Sequence, residues 1–267
     1  MVLTIAGSDS GGGSGLQADL RTFAAQSVHG VCALTVVSSQ NTNEFRSAWP
    51  VPASVVQSQI EAILDDFDVK VVKTGLLYSR ENIELISEMA DAGLLPSLIV
   101  DPVIVNRHGE PLYDGTTVDL IRRRLIPKAL VITPNHLEAF RILGDEINDD
   151  VEALSQAAQR LAAMGPSLVA LTGGRRDTPS MVDVVAYEGE VNFLEVERCL
   201  TSNVRGTGDT FSAAIAAGIA KGASPLDAVK KAQVFTSEAV RRAATWKLGS
   251  GEGPIDHLGQ LNAAGLD

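Results

Sequence analysis

One feature constrains this chain more than any other: short apolar runs alternate with stretches of helical periodicity. Runs rich in Val, Ile and Leu recur at residues 2–6, 31–38, 69–73, 98–103, 129–133 and 168–171. Between them, apolar residues fall at helical spacing: Val56, Ile60, Ile63, Leu64 and Phe67, then Ile83, Ile86, Met89 and Ala90, then Val151, Leu154, Ala158 and Leu161. Continuous apolar runs suit strands buried on both faces, and the amphipathic stretches suit the crossovers between them. This predicts an α/β fold with a doubly wound, mostly parallel sheet. Residues 182–187 and 191–195, joined by Glu188-Gly189-Glu190, read as an antiparallel hairpin at the sheet edge, followed by helices at 209–221 and 225–245. The 267 residues, 45% of them hydrophobic, suffice for one large core. No repeat or long linker interrupts them, so a single domain over 1–267 is expected.

Ligands of such sheets bind beyond the carboxyl ends of the strands. The loops expected there are unusual: Gly7 to Gly15 with five glycines and three serines, Asp101-Pro102-Val103, Thr133-Pro134-Asn135, and Thr172-Gly173-Gly174. The first is neither a Walker A sequence nor a dinucleotide fingerprint, and by itself it reads equally as a flexible turn.

The sharpest local signal is Arg205-Gly206-Thr207-Gly208-Asp209-Thr210, which opens a helix rich in small residues. Glycines there let the first-turn amides converge on one spot, an anion hole suited to a phosphoryl group in transfer. Asp209 in that turn could accept the proton of an attacking hydroxyl, although an N-capping Asp after a glycine turn is the common alternative. Asp101 and Glu138 place carboxylates at the same sheet edge, where they could hold Mg2+ through water or serve as ordinary caps.

Charge narrows the partners. A net charge of −11 repels nucleic acid and anionic membrane alike, so neither is expected. Cys32 and Cys199 show no paired spacing, which fits a reducing cytoplasm, and residues 1–6 are too short for a signal peptide. No stretch is long enough to span a bilayer. His29, His108, His136 and His257 show no ligand spacing and read as surface or loop residues.

Taken together, the motifs resemble those of the hydroxymethylpyrimidine and hydroxymethylpyrimidine-phosphate kinases of thiamin synthesis, in the ribokinase superfamily that includes the pyridoxal kinases. The carrying segments are Thr4-Ile5-Ala6-Gly7-Ser8-Asp9, Gly15-Leu16-Gln17-Ala18-Asp19-Leu20, Gln40-Asn41-Thr42, Lys73-Thr74-Gly75-Leu76-Leu77, Asp101-Pro102-Val103, Thr133-Pro134-Asn135 with Glu138, and Gly206-Thr207-Gly208. The resemblance implies a ribokinase-like three-layer αβα domain, a homodimer, and transfer of the ATP γ-phosphate to a pyrimidine hydroxymethyl group and then to its monophosphate.

It further implies a substrate pocket at Gly7, Ser14, Asp19, Gln40, Leu76 and Val103, with Gln40 bonding the ring edge. Nucleotide contacts would fall to Asn135, Glu138, Thr172, Gly174 and Arg205, metal contacts to Asp101 and Glu138, and catalysis to Asp209 with Gly206, Thr207 and Gly208. Residues 106–111 match a mobile flap in such relatives. The pocket departs from the pyrimidine kinases at Asp209 for the usual Cys, Ser14 for Ala and Leu76 for Met, which keeps a pyridoxine-type ring open as the alternative. Thr172 replaces a usual lysine and Arg205 a usual histidine, so that Arg205 could restore the lost charge. A binding protein without transfer, or a phosphatase using the same anion hole, would also fit these changes.

Overall fold

The computed structural model describes residues 1–106, 108–174 and 178–259. A nine-stranded sheet runs β3-β2-β1-β4-β5-β6-β7-β8-β9. Its strands are β1 (Val2–Asp9), β2 (Gly30–Gln40), β3 (Phe45–Pro50), β4 (Val71–Thr74), β5 (Ile99–Val100), β6 (Val131–Ile132), β7 (Leu168–Gly174), β8 (Ser180–Tyr187) and β9 (Glu190–Glu197). The stretch from β2 through β7, β3 aside, is parallel, and β3, β8 and β9 add antiparallel edges. The helices are α1 (Gly15–Ala25), α2 (Ala53–Leu64), α3 (Arg80–Asp91), α4 (Gly115–Leu120), α5 (His136–Leu143), α6 (Val151–Ala162), α7 (Thr207–Ala220) and α8 (Pro225–Ala243).

Alternation along the strands builds two cores. Leu3, Ile5, Val72, Val100 and Ile132 point to the face covered by α2, α3, α5 and α6. Val2, Val71, Ile99, Val131 and Leu168 point to the face covered by α1, α7 and α8. The expected three layers are therefore present. Among the described residues, no helix is long and apolar enough to cross a membrane.

Some expectations need correction. β3 carries no buried alternation, with Phe45 and Trp49 exposed, so nothing in its residues announced a strand. The runs expected at 98–103 and 129–133 shrink to two paired residues each, because the prolines at 102 and 134 cannot donate to a ladder. Phe67 and Val151, both taken as core-facing, are exposed.

Candidate active site

The order of the sheet reverses at β1, and the loops that follow β1, β4, β5, β6 and β7 gather at their carboxyl ends, with the opening turn of α7 above them. α7 begins at Gly206, whose φ of +83° is a left-handed conformation that other residues adopt only at a cost. A side chain there would also overlap the Gly13 carbonyl oxygen. The helix start leaves the amides of Gly208 and Asp209 without an acceptor inside the helix, while that of Thr207 donates to Val204.

Beneath this turn lies a charge cluster centred on Lys73 of β4. Its side chain is 0% exposed, and Nζ lies 2.6 Å from Asp19 Oδ1, 3.8 Å from Asp209 Oδ1 and 4.0 Å from Asp101 Oδ2. Of the three carboxylates Asp209 is the most open, its side chain 18% exposed. Burial pushes Asp19 up to about 7 against the pull of Lys73. Burial would lower Lys73, but Asp19, Asp209 and Asp101 together raise it above the ordinary lysine value. Asp101 accepts from Ser212 Oγ at 2.9 Å, and burial raises its pKa in opposition to Lys73. Glu138 is held well above the usual range, by burial first and then by the neighbouring Asp101.

Expected acceptor residues do line the strand ends. Gly7 lies against Val36 and Leu76, and Val103 lines a small cavity with Gly75 and Asp101. The Gln40 side chain donates to Ser38 Oγ at 2.9 Å. Asp19 is fully buried, with Oδ1 on Lys73 and Oδ2 accepting from Thr4 at 2.6 Å. Both of its oxygens are thus engaged inside the protein.

Of the residues expected to meet the nucleotide, Asn135 and Glu138 form a capping box at the start of α5. The Asn135 side chain accepts from the amides of Leu137 and Glu138, and Glu138 Oε2 accepts from the Asn135 amide at 2.9 Å. Glu138 Oε1 accepts from the Ile104 amide, which leaves it poorly placed for direct metal ligation. Thr172 pairs by its backbone with the Pro134 carbonyl, which brings the loops after β6 and β7 together.

Arg205, expected to meet the transferring group, is engaged within the protein. Its Nε and terminal nitrogen both donate to Asp9 Oδ2, at 3.1 and 3.0 Å, so its charge is already compensated. Asp9 also accepts from the amides of Gly11, Gly13 and Ser14 and from the Ser14 hydroxyl. Arg205 and Asp9 thus clamp the glycine loop to the start of α7. Asn106 braces its own loop by accepting from the amides of His108 and Glu110, while Arg107 of the expected flap lies outside the described residues.

Sequence reasoning missed the roles of Lys73, Asp9, Asp183 and His257. Two histidines expected as surface or loop residues are buried: His257, in a loop, which meets Thr210 Oγ1 at 2.9 Å, and His136, whose Nε2 meets the Ile147 carbonyl.

Comparison with known proteins places the chain in a family. A family model described as phosphomethylpyrimidine kinase matches residues 9–256. The hydroxymethylpyrimidine/phosphomethylpyrimidine kinase of Streptomyces coelicolor is 39% identical over 257 residues, covering 96% of this chain and 94% of that protein. The crystal structure of an ADP complex of Bacillus subtilis pyridoxal kinase superposes with a TM-score of 0.90 at 35% identity, covering 98% of each chain. That of phosphomethylpyrimidine kinase from Clostridium difficile gives 0.79 at 32% identity, over 90% of this chain and 98% of the other. By its motifs, its fold and these matches, the chain belongs to the phosphomethylpyrimidine kinase family.

Proposed function

We propose that the protein, acting as a single kinase domain, transfers the ATP γ-phosphoryl group to the hydroxymethyl group of 4-amino-5-hydroxymethyl-2-methylpyrimidine, and then phosphorylates the resulting monophosphate. The observation that carries this is the Asp209 carboxylate, the most exposed of the three around Lys73 and in the same turn as the unpaired amides of α7. Asp209 takes the hydroxyl proton as the substrate oxygen bonds to the γ-phosphorus. The bond from that phosphorus to the β–γ bridging oxygen breaks, and ADP leaves. The amides of Gly208 and Asp209 meet the charge in flight, with Gly206 and Thr207 shaping the turn.

Among the described residues, the cations of the cleft are already engaged, Lys73 by carboxylates and Arg205 by Asp9. Asp101, Asp209 and Glu138 therefore leave negative charge uncompensated, which fits Mg2+ held by Asp101 and Glu138 through water. Bound there, magnesium supplies charge neutralisation of the phosphates. Asn135, Thr172 and Gly174 are the residues that would border the nucleotide, while Gly7, Ser14, Gln40, Leu76 and Val103 would border the ring. The reading extends to a cytoplasmic homodimer, with exposed Phe45 and Trp49 on β3 as the available apolar surface.

Asp209→Asn is expected to lower kcat at least about a hundredfold while the alcohol still binds, as read by ADP release and by calorimetric titration. Wild-type turnover in that variant would refute the assignment. The close superposition on B. subtilis pyridoxal kinase favours one second reading, phosphorylation of a pyridine alcohol in the same site. Competition between the pyrimidine and pyridine alcohols at equal concentration separates the two.

A further inference from the structure

Lys73 is a side chain for which the phosphoryl-transfer scheme above has no task. Four elements meet at its ammonium: Asp19 from α1 at 2.6 Å, Asp209 from α7 at 3.8 Å, Asp101 after β5 at 4.0 Å, and β4 itself. Space for this is kept open by Gly75, where a Cβ would lie 3.4 Å from Nζ and 3.1 Å from the Ala6 side chain. Taking an ammonium fully out of water is expensive, and one carboxylate partner would be the minimum needed to hold it. Asp19 supplies that partner, and Thr4 fixes the second oxygen of Asp19 at 2.6 Å. The carboxylates of Asp101 and Asp209 are additional, and Asp209 is the most exposed of the three.

A carboxylate facing a nucleotide triphosphate is pushed aside by like charge unless something holds it from behind. We propose that Asp19 and Lys73 form a positioning pair: Asp19 fixes the ammonium, and the ammonium fixes the Asp209 carboxylate toward the acceptor hydroxyl. The pair exchanges no proton and touches no substrate. This inference rests on the assignment of Asp209 as the base, and it replaces the expected substrate contact of Asp19 with a role through Lys73.

A purely structural ion pair makes a different prediction, and a double-mutant cycle separates the two. The proteins are wild type, Asp19→Asn, Lys73→Met and the double variant, each measured for its denaturation midpoint and for kcat and KM of the alcohol. Lys73→Met leaves the buried Asp19 carboxylate without its cation, and Asp19→Asn leaves the ammonium only the more distant Asp101 and Asp209, so either change lowers the midpoint. The double variant, neutral at both positions, is expected to regain most of that midpoint. Its kcat is nevertheless expected to stay at least tenfold below wild type, with the alcohol KM within threefold.

Recovery of kcat together with the midpoint overturns the proposal, because the pair is then structural only. If Asp19→Asn does not raise the midpoint in the Lys73→Met background, the proposal is also overturned, because Asp19 is then not the partner of Lys73. A raised alcohol KM with unchanged kcat in Asp19→Asn returns Asp19 to substrate contact. Asp209→Asn measured alongside distinguishes the two failures. If it turns over like wild type, the base assignment falls and the pairing role with it. If it is inactive while the double variant recovers, only the positioning role falls.

Discussion

His257 shows how far one side chain can depart from its sequence context. It follows a run of glycine and proline that reads as surface loop, yet it is buried against the first turn of α7 with Thr210 Oγ1 at 2.9 Å. Its surroundings are Arg21 from α1, Asp209 from α7, Arg242 from α8 and its neighbour Asp256. Burial and Arg21 lower its pKa from 6.5 to about 4. Between those values the unfolded chain binds a proton that the folded chain refuses, so stability is complete above 6.5 and declines as pH falls toward about 4. The full loss is at most about 3.4 kcal/mol at 1.36 kcal/mol per pH unit. In His257→Gln this part of the acid sensitivity should vanish, which denaturation midpoints of the two proteins between neutral and acid pH will show. Asp19, held high, contributes with the opposite sign in both proteins and cancels in the difference. Lys73 was hidden for a related reason. A lysine closing an apolar run reads as a strand end meeting water, and its partner Asp19 lies 54 residues away.

At the scale of elements, the glycine loop after β1 and the start of α7 behave as one unit. Arg205 and Asp9, 196 positions apart, clamp them together, and Gly206 passes so close to the Gly13 carbonyl that no side chain fits between. Gly208, one turn position on, faces open space. The two glycines should therefore respond differently to alanine. Gly206→Ala is expected to cost about 1–3 kcal/mol through its left-handed backbone alone, and more through the overlap with Gly13. Gly208→Ala should leave stability within about 0.5 kcal/mol of wild type, or raise it, because alanine favours helix. Chemical denaturation of both variants checks this. The same elements show what a sequence can reveal. Glycine and proline clusters located the loops after β1, β5, β6 and β7, though not the one after β4, and unbroken apolar runs located the six parallel strands, because both signals are local. Neither could show the clamp, since it joins residues distant in the chain. Nor could β3 be read, because its side chains face water and the strand is held by backbone pairing to β2.

At the scale of the whole molecule, the proposed function divides its contacts between two parts of the sheet edge. The ends of β1, β2, β4 and β5 carry the residues proposed to border the ring, and the loops after β6 and β7 carry those proposed to border the nucleotide, with α7 packed over β1, β4 and β5 between them. Each side has its own support. Gln40 ends β2 and is braced by Ser38. On the other side, the pairing of β7 with β8 shifts register between Leu171 and Gly174, and the displaced Gly173 amide donates to Asp183 Oδ1 at 3.1 Å. Asp183 is buried and is steadied in turn by Gln233 of α8, whose Nε2 lies 3.1 Å from Oδ2. Burial raises the Asp183 carboxyl, so its backbone contact is made in a dry setting where losing a partner is costly. Perturbing one side should therefore leave the other unmoved. Gln40→Ala is expected to raise KM for the alcohol several-fold with KM for ATP unchanged, and Asp183→Asn to raise KM for ATP with KM for the alcohol unchanged. Steady-state kinetics with each substrate varied in turn reads both. A shift of both constants in either variant would mean that α7 transmits the disturbance across the sheet and that the two halves do not bind independently.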